Sequence, residues 1–227
     1  MVQLYPNRCP VCDKVLYDTD ICPECRRKLK YVKQPTCFSC GKPLDDNHME
    51  YCEDCRKNTH QFRQGKAVFC YQGKVRGMLY RYKYSNRRDY TDFFAKEAAR
   101  MYADWIRRQA IEMIVPVPLS AKKMRKRGYN QAELFAKRLA ELLELPCEGK
   151  LLVRTRDTAP QKQLSAKERK NNLKNAFKIN ENIVKSKRVL LVDDIYTTGS
   201  TIDAAALALK RAGLEVYFLC ISIGQGH

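Results

Sequence analysis

From the N-terminus to about Arg56 apolar residues form no sustained periodic run, and from Ala67 onward they fall into the periods of strands and amphipathic helices. AVFCYQ (67–72) is short, β-rich and aromatic and predicts the first strand of a main domain. Gly73 turns the chain. Residues 74–84 predict a short helix that places Val75, Met78, Leu79 and Tyr82 on one side. A longer helix is predicted over 90–109, where Phe94, Ala98, Met101 and Trp105 repeat at three and four residues as a core stripe. IEMIVPV (111–117) is the next strand, which Pro116 and Pro118 prevent from continuing as a central one. The stretch 120–131 is expected as a basic loop, and 132–145 as an amphipathic helix ended by Pro146.

Beyond that helix, 151–153 is a short strand and 154–163 has no apolar periodicity. Ser165 and Glu168 fit a capping box that opens a short helix to about Leu173. Strands follow at 176–179 and 188–192, then a helix over 202–213 stopped by Gly213, then a last strand at 215–222. Strands alternating with helices predict an α/β fold with a mainly parallel sheet flanked by helices. Ligands of such sheets sit at the carboxyl ends of the strands. Three loops belong at that edge: a basic one at 118–129, an aperiodic one at 154–164 and an acidic one at 193–200.

The acidic loop carries the clearest chemistry. In VLLVDDIYTTGST (189–201) an uninterrupted apolar strand leads to Asp193 and Asp194, then to small hydroxyl residues around Gly199, then to a helix. Unpaired N–H groups at a helix start face an anion, and a glycine lets the backbone approach it. The two carboxylates could accept from sugar hydroxyls or order a magnesium ion. An ordinary strand end whose aspartate caps the helix is the alternative.

Eleven cysteines include four C-x-x-C pairs before residue 56: Cys9/Cys12, Cys22/Cys25, Cys37/Cys40 and Cys52/Cys55. Each knuckle turns two thiolates to one side, and two knuckles complete a tetrahedral zinc site. Sequential pairing gives two zinc ribbons, Cys9/Cys12/Cys22/Cys25 and Cys37/Cys40/Cys52/Cys55, and interleaved pairing competes with it. No βαβ pattern surrounds these pairs, which argues against a redox role. Cys70, Cys147 and Cys220 are scattered in apolar surroundings and are expected to be structural.

The formal charge is +18. Eight thiolates and two zinc ions lower it by about four, which still leaves an excess that attracts polyanions. Lys83, Arg87 and Arg88, interleaved with Tyr80, Tyr82, Tyr84 and Tyr90, combine phosphate-neutralising cations with rings that can stack on bases. No apolar run approaches the roughly 18 residues of a membrane span. The N-terminal residues lack a secretory apolar core. A cytoplasmic protein is expected, which partners could hold at the inner face of the membrane.

The 189–201 string resembles the phosphoribosyl diphosphate (PRPP) loop of the type I phosphoribosyltransferases. That resemblance implies that Asp193 and Asp194 hold the ribose hydroxyls and that Thr197, Thr198, Gly199, Ser200 and Thr201 cradle the 5′-phosphate. With the cysteine-rich start, YQGKVRGMLYRYKYSNRRD (71–89), VPVPLSAKKMRKRGYNQAELFA (115–136) and RTRDTAPQKQLSAKERKNNLKNAF (154–177), nearly the whole chain resembles the ComF family of competence proteins. The implied organisation is a zinc-binding double ribbon at 1–56, a linker at 57–66 and a phosphoribosyltransferase-like domain at 67–227. The loop after Val117 then corresponds to the diphosphate-binding loop, with Arg125, Lys126 and Arg127 as donors. Segment 154–164 corresponds to the flexible loop that closes over PRPP.

The resemblance implies a DNA-uptake protein that binds single-stranded DNA and PRPP with magnesium. It would help move transforming DNA across the inner membrane with a helicase and other competence proteins. The competing function is a metabolic phosphoribosyltransferase that joins PRPP to an acceptor with loss of diphosphate. No acceptor motif is legible, and the residues admit both a transferase and a binding protein.

Overall fold

The computed structural model describes residues 7–155, 176–180 and 186–224. The helix expected at 165–173 and most of the loop expected at 154–164 lie outside them. The centre is a four-stranded all-parallel sheet: β3 (Gln64–Cys70), β8 (Glu215–Ile223), β7 (Arg188–Tyr196) and β4 (Met113–Pro116), in that spatial order. The mainly parallel α/β fold is therefore as expected.

Side chains alternate across this sheet, as the period of two requires. Leu190, Val192, Tyr217, Leu219 and Ile221 face one core, and Val189, Leu191, Val216, Phe218 and Cys220 face the other. The first core is roofed by α3 (Gly73–Tyr84), α4 (Tyr90–Arg108) and α6 (Gln131–Leu143), which bury Met78, Leu79, Phe94, Ala98, Phe135 and Leu139. The second is covered by α7 (Ser200–Arg211) and by an antiparallel ribbon of β5 (Leu152–Arg154) and β6 (Phe177–Ile179). Pro116 ends β4, which is an edge strand of the sheet, as a proline without an N–H requires.

Three differences from the sequence expectation stand out. β3 begins at Gln64, inside the stretch expected as linker, because Arg63 and Gly65 find backbone partners in Val216 and Ser39. β7 runs through the acidic pair to Tyr196, since pairing with β8 continues as far as Ile223. The basic loop contains a helix, α5 (Ala121–Arg127). Ser120 caps it by accepting from the Lys123 N–H, and Gly128, at φ 76°, closes it. Alanine, lysine, arginine and methionine in between are strong helix formers, and Arg125, Lys126 and Arg127 sit in the last turn, where the helix dipole favours cations.

Residues 9–57 wrap the β3 side of the sheet. The first knuckle pair, with β1 (Asn7–Arg8), β2 (Val15–Leu16) and α1 (Pro23–Arg27), lies on the α3/α4 side, where Cys9, Ile21, Cys22 and Leu29 join the first core. The second, with α2 (Glu53–Lys57), lies on the α7 side, where Cys37, Cys40 and Cys52 join the second. The connecting strand crosses the edge of β3, with the Val32 N–H donating to the Val68 carbonyl and the Cys70 N–H to Lys30. An exposed sheet edge is thereby covered. Gly65 is obligatory in β3, because a Cβ there would lie 1.9 Å from the Phe218 ring.

Candidate functional site

The acidic loop lies at the carboxyl end of β7, where an α/β sheet places its ligands. Gly199 is the N-cap of α7 with φ 77°, and no side chain caps the helix. The helix N-terminus therefore keeps its backbone donors available to an anion. Thr197 and Thr198 are exposed, Gly199 is buried, and Ser200 and Thr201 are half-buried. The hydroxyls of Thr198 and Ser200 are 2.9 Å apart and line the same turn. The five residues expected to cradle a phosphate are thus contiguous at one helix start.

Asp193 and Asp194 precede this turn on β7. The Asp194 N–H donates to Asp193 Oδ1 at 2.8 Å. Asp193 keeps some accessible surface yet lies deep among protein atoms, and its depth governs its titration. Burial, with the neighbouring charge of Asp194, pushes its carboxyl up to about 7, against the Asp194 N–H, Lys83 and Lys123. The Lys83 ammonium is 3.0 Å from Asp194 Oδ2, and the two side chains are only 14% and 12% exposed. A divalent cation or sugar hydroxyls brought to this pair would meet a lysine already in place.

Lys83, expected to face nucleic acid, comes from the last turn of α3 and pairs with Asp194. Arg87 is also committed elsewhere. It pairs with Asp13 of the first knuckle and with Asp89, the latter at 2.7 Å. Arg88 alone of the three is exposed, with its guanidinium 4.5 Å from the Tyr129 ring centre and its Nε donating to Asn86 Oδ1. Sequence reasoning could not separate these roles, because all three are cations in one basic-aromatic run.

Helix α5 divides the expected diphosphate donors. Arg125 is exposed on it. Lys126 and Arg127 turn toward Tyr84, whose ring centre is 5.8 Å from the Lys126 ammonium and 5.0 Å from the Arg127 guanidinium. Arg127 also donates to the Tyr84 hydroxyl and to Gln131 Oε1. Lys123, which the sequence reading passed over, is the α5 cation within electrostatic reach of Asp193 and Asp194. Lys123 is exposed along its stem, but protein packed around its ammonium, with Arg154 and Arg127 nearby, lowers its pKa, and the two aspartates oppose that. The i, i+3, i+4 spacing of Lys123, Lys126 and Arg127 was the available signal, but it needs a helix to mean one face.

The two cysteine groups assemble by sequential pairing. The sulfurs of Cys9, Cys12, Cys22 and Cys25 lie within 4.8 Å of one another, as do those of Cys37, Cys40, Cys52 and Cys55. A Zn–S bond of about 2.3 Å implies a tetrahedron with edges of roughly 3.8 Å. The Cys12–Cys22 and Cys40–Cys52 sulfur distances of 3.7 and 3.6 Å match that edge. Both donor sets therefore fit zinc. Among the described residues no helix is long and apolar enough to cross a membrane.

Comparison with known proteins agrees with this architecture. Residues 1–56 match the double zinc ribbon domain family, and residues 130–227 match the phosphoribosyl transferase domain family. The chain is 31% identical to Competence protein F of Haemophilus influenzae over 95% of its length and 96% of that protein. It is 31% identical to DNA utilization protein YhgH of Escherichia coli over 88% of its length and 89% of that protein. Competence protein ComFC of Bacillus subtilis is 28% identical over 86% of the chain and 80% of that protein. With a double zinc ribbon wrapped on a type I phosphoribosyltransferase-like fold, and identity at this level along nearly its whole length, the chain belongs to the ComF family of competence proteins.

Proposed function

We propose that the chain is a DNA-uptake protein that binds PRPP at the 193–201 loop and single-stranded DNA nearby. In this role it assists passage of transforming DNA across the inner membrane, together with a helicase. The names of its relatives, two competence proteins and a DNA utilization protein, support the process. The observation that carries the ligand is the acidic pair on β7 followed at once by an uncapped helix start at Gly199. A diol accepted by the carboxylates and an anion on the helix N-terminus describe a ribose 5-phosphate.

Lys83 and Lys123 supply positive charge beside the carboxylates, where a diphosphate on the same sugar would arrive. Magnesium, when bound, would supply further neutralisation of that diphosphate. The chain's own residues orient the sugar, hold the phosphate and set the protonation of Asp193.

The test replaces Asp193 and Asp194 by Ala in a naturally transformable host that relies on this gene. Transformation is expected to fall to the level of a null strain, while purine and pyrimidine salvage stay normal. Normal transformation by the double variant would separate the loop from DNA uptake. A salvage defect would favour a metabolic transferase instead.

A further inference from the structure

Tyr82 and Tyr90, two of the four tyrosines around the end of α3, are buried in the first core. The other two are not: Tyr80 is 63% and Tyr84 48% exposed, with ring centres 5.1 Å apart. They form one wall of a cavity of about 490 Å³, which Lys83, Asn86, Lys126 and Arg127 complete. That size is in the usual range for a small-molecule site, roughly 300–1,000 Å³. Paired aromatic rings left in solvent, opposite two cations on the same helix face, need an explanation that core packing does not give.

Lys83 joins this cavity to the acidic pair, since it lines the first and pairs with Asp194 of the second. Arg88 and Asn86 stand at the turn after α3, with Arg88 Nη2 3.9 Å from the Cβ position on Gly128. The wall is thus aromatic, and the cations surrounding it are placed to meet phosphate on either side.

We infer that this cavity holds one nucleotide unit of single-stranded DNA, its base stacked on the more exposed Tyr80 ring with its edge against Tyr84, which is inclined at 49° to it, and its flanking phosphates on Lys126, Arg127 and Arg88. The inference rests on the proposed DNA-uptake reading and adds a place to it. Every base has a π-face, so stacking on a tyrosine pair tolerates any sequence, as uptake of arbitrary DNA requires. The same geometry sets the bound strand next to Asp194, so strand and phosphoribosyl ligand occupy adjoining sites with Lys83 between them.

The experiment uses the full zinc-loaded chain and a fluorescein-labelled oligothymidylate, read by anisotropy, with PRPP binding followed in parallel by calorimetry. Tyr80→Ala/Tyr84→Ala is expected to weaken oligonucleotide binding at least tenfold while PRPP affinity changes less than twofold. Tyr84→Phe keeps the ring and should bind like the parent. An abasic oligonucleotide should bind the parent chain about tenfold more weakly, and the Tyr→Ala variant should no longer distinguish the two.

Unchanged oligonucleotide affinity in the double variant, or equal binding of abasic and thymidylate strands, overturns the assignment and leaves DNA binding elsewhere on the chain. Loss of PRPP binding with oligonucleotide binding retained also overturns it, because the cavity is then part of the phosphoribosyl site. Failure of the parent chain to bind any oligonucleotide, even at low salt, defeats the DNA-uptake reading itself. Both tyrosines are largely exposed, and equal melting temperatures of variant and parent confirm that the fold is intact.

Discussion

The hydroxyl of Tyr196 lies directly beneath Gly199: a Cβ built on that glycine would be 2.4 Å from the oxygen and 2.8 Å from Cζ. Tyr196 is stacked flat on Phe218, with ring centres 4.8 Å apart, and Phe62 meets both rings edge-on. The ring cannot withdraw, so the turn proposed to hold the phosphate rests on a rigid floor. Gly199→Ala therefore meets both this clash and the cost of a left-handed backbone, the latter about 1–2 kcal/mol for a residue with a side chain. PRPP affinity should fall more than tenfold by calorimetry. In a double-mutant cycle Tyr196→Phe, which removes the nearest atom, should restore part of the loss.

The same tyrosine connects the phosphate turn to the second zinc ribbon. Burial, with the sulfurs of Cys40 and Cys55 nearby, keeps its hydroxyl well above the usual phenol range. Residues just past that ribbon are tied to α7: His60 Nδ1 is 2.8 Å from Asp203 Oδ2, and the Gln61 N–H donates to Asp203 Oδ1 at 2.8 Å. Asp203 in turn donates its N–H to the Gly199 carbonyl. Replacing Cys37 and Cys40 by Ser should therefore raise hydrogen exchange at 196–203 and weaken PRPP binding. Replacing Cys9 and Cys12 should leave that peptide protected, because the first ribbon lies on the opposite face of the sheet.

A pH dependence follows from Asp193. Its carboxyl is pushed up to about 7 by burial and by Asp194. The folded chain therefore holds that proton where an unfolded aspartate has lost it, and ionisation costs stability as pH rises through about 7. Sugar hydroxyls or a metal favour the ionised form, so ligand binding expels the proton. Magnesium-PRPP affinity should rise between about pH 6 and 8, with proton release measured by calorimetry in buffers of different ionisation enthalpy. Lys83→Met removes a charge that lowers the Asp193 pKa and should move this profile to higher pH. A profile unmoved by that change would mean that Lys83 does not act on the pair.

Much of this was legible in the sequence because it rests on local patterns. The strand before Asp193, the glycine of the turn before α7 and the C-x-x-C knuckles are each specified within about a dozen residues. What stayed illegible depends on a distant partner. Lys83 and Arg87 look alike beside Tyr82 and Tyr90, yet Asp194 claims one and Asp13 the other. The basic run 121–127 lacks apolar periodicity, so its helix showed only in the Ser120 cap, the helix-forming residues after it and the closing Gly128, and Lys123 was overlooked with it. The ribbons carried no sign that their cysteines would join the two cores of the sheet domain.

That joining is most exposed to test at Glu97. Its side chain on α4 is 4% exposed and receives Arg26 from α1, Arg100 at 2.8 Å and the Tyr31 hydroxyl at 2.9 Å. Burial opposes its charge, but Arg100, Arg26 and Tyr31 outweigh burial and hold the carboxyl below its ordinary 4.5. A depressed acid contributes stability above its unfolded value and loses it as pH falls, so docking of the first ribbon should weaken below about pH 4.5. Glu97→Ala takes away the carboxylate shared by Tyr31 and by Arg26 and Arg100, whose side chains are 42% and 59% exposed, and should cost about 1–2 kcal/mol in urea unfolding. Glu97→Gln keeps an acceptor for Tyr31 and should cost less. Because only the first ribbon hangs on this carboxylate, exchange should rise at 9–31 in the Ala variant while 37–55 stays protected. Equal loss of protection in both ribbons would show that they detach as one unit, and that the covering strand across β3, rather than Glu97, governs their docking.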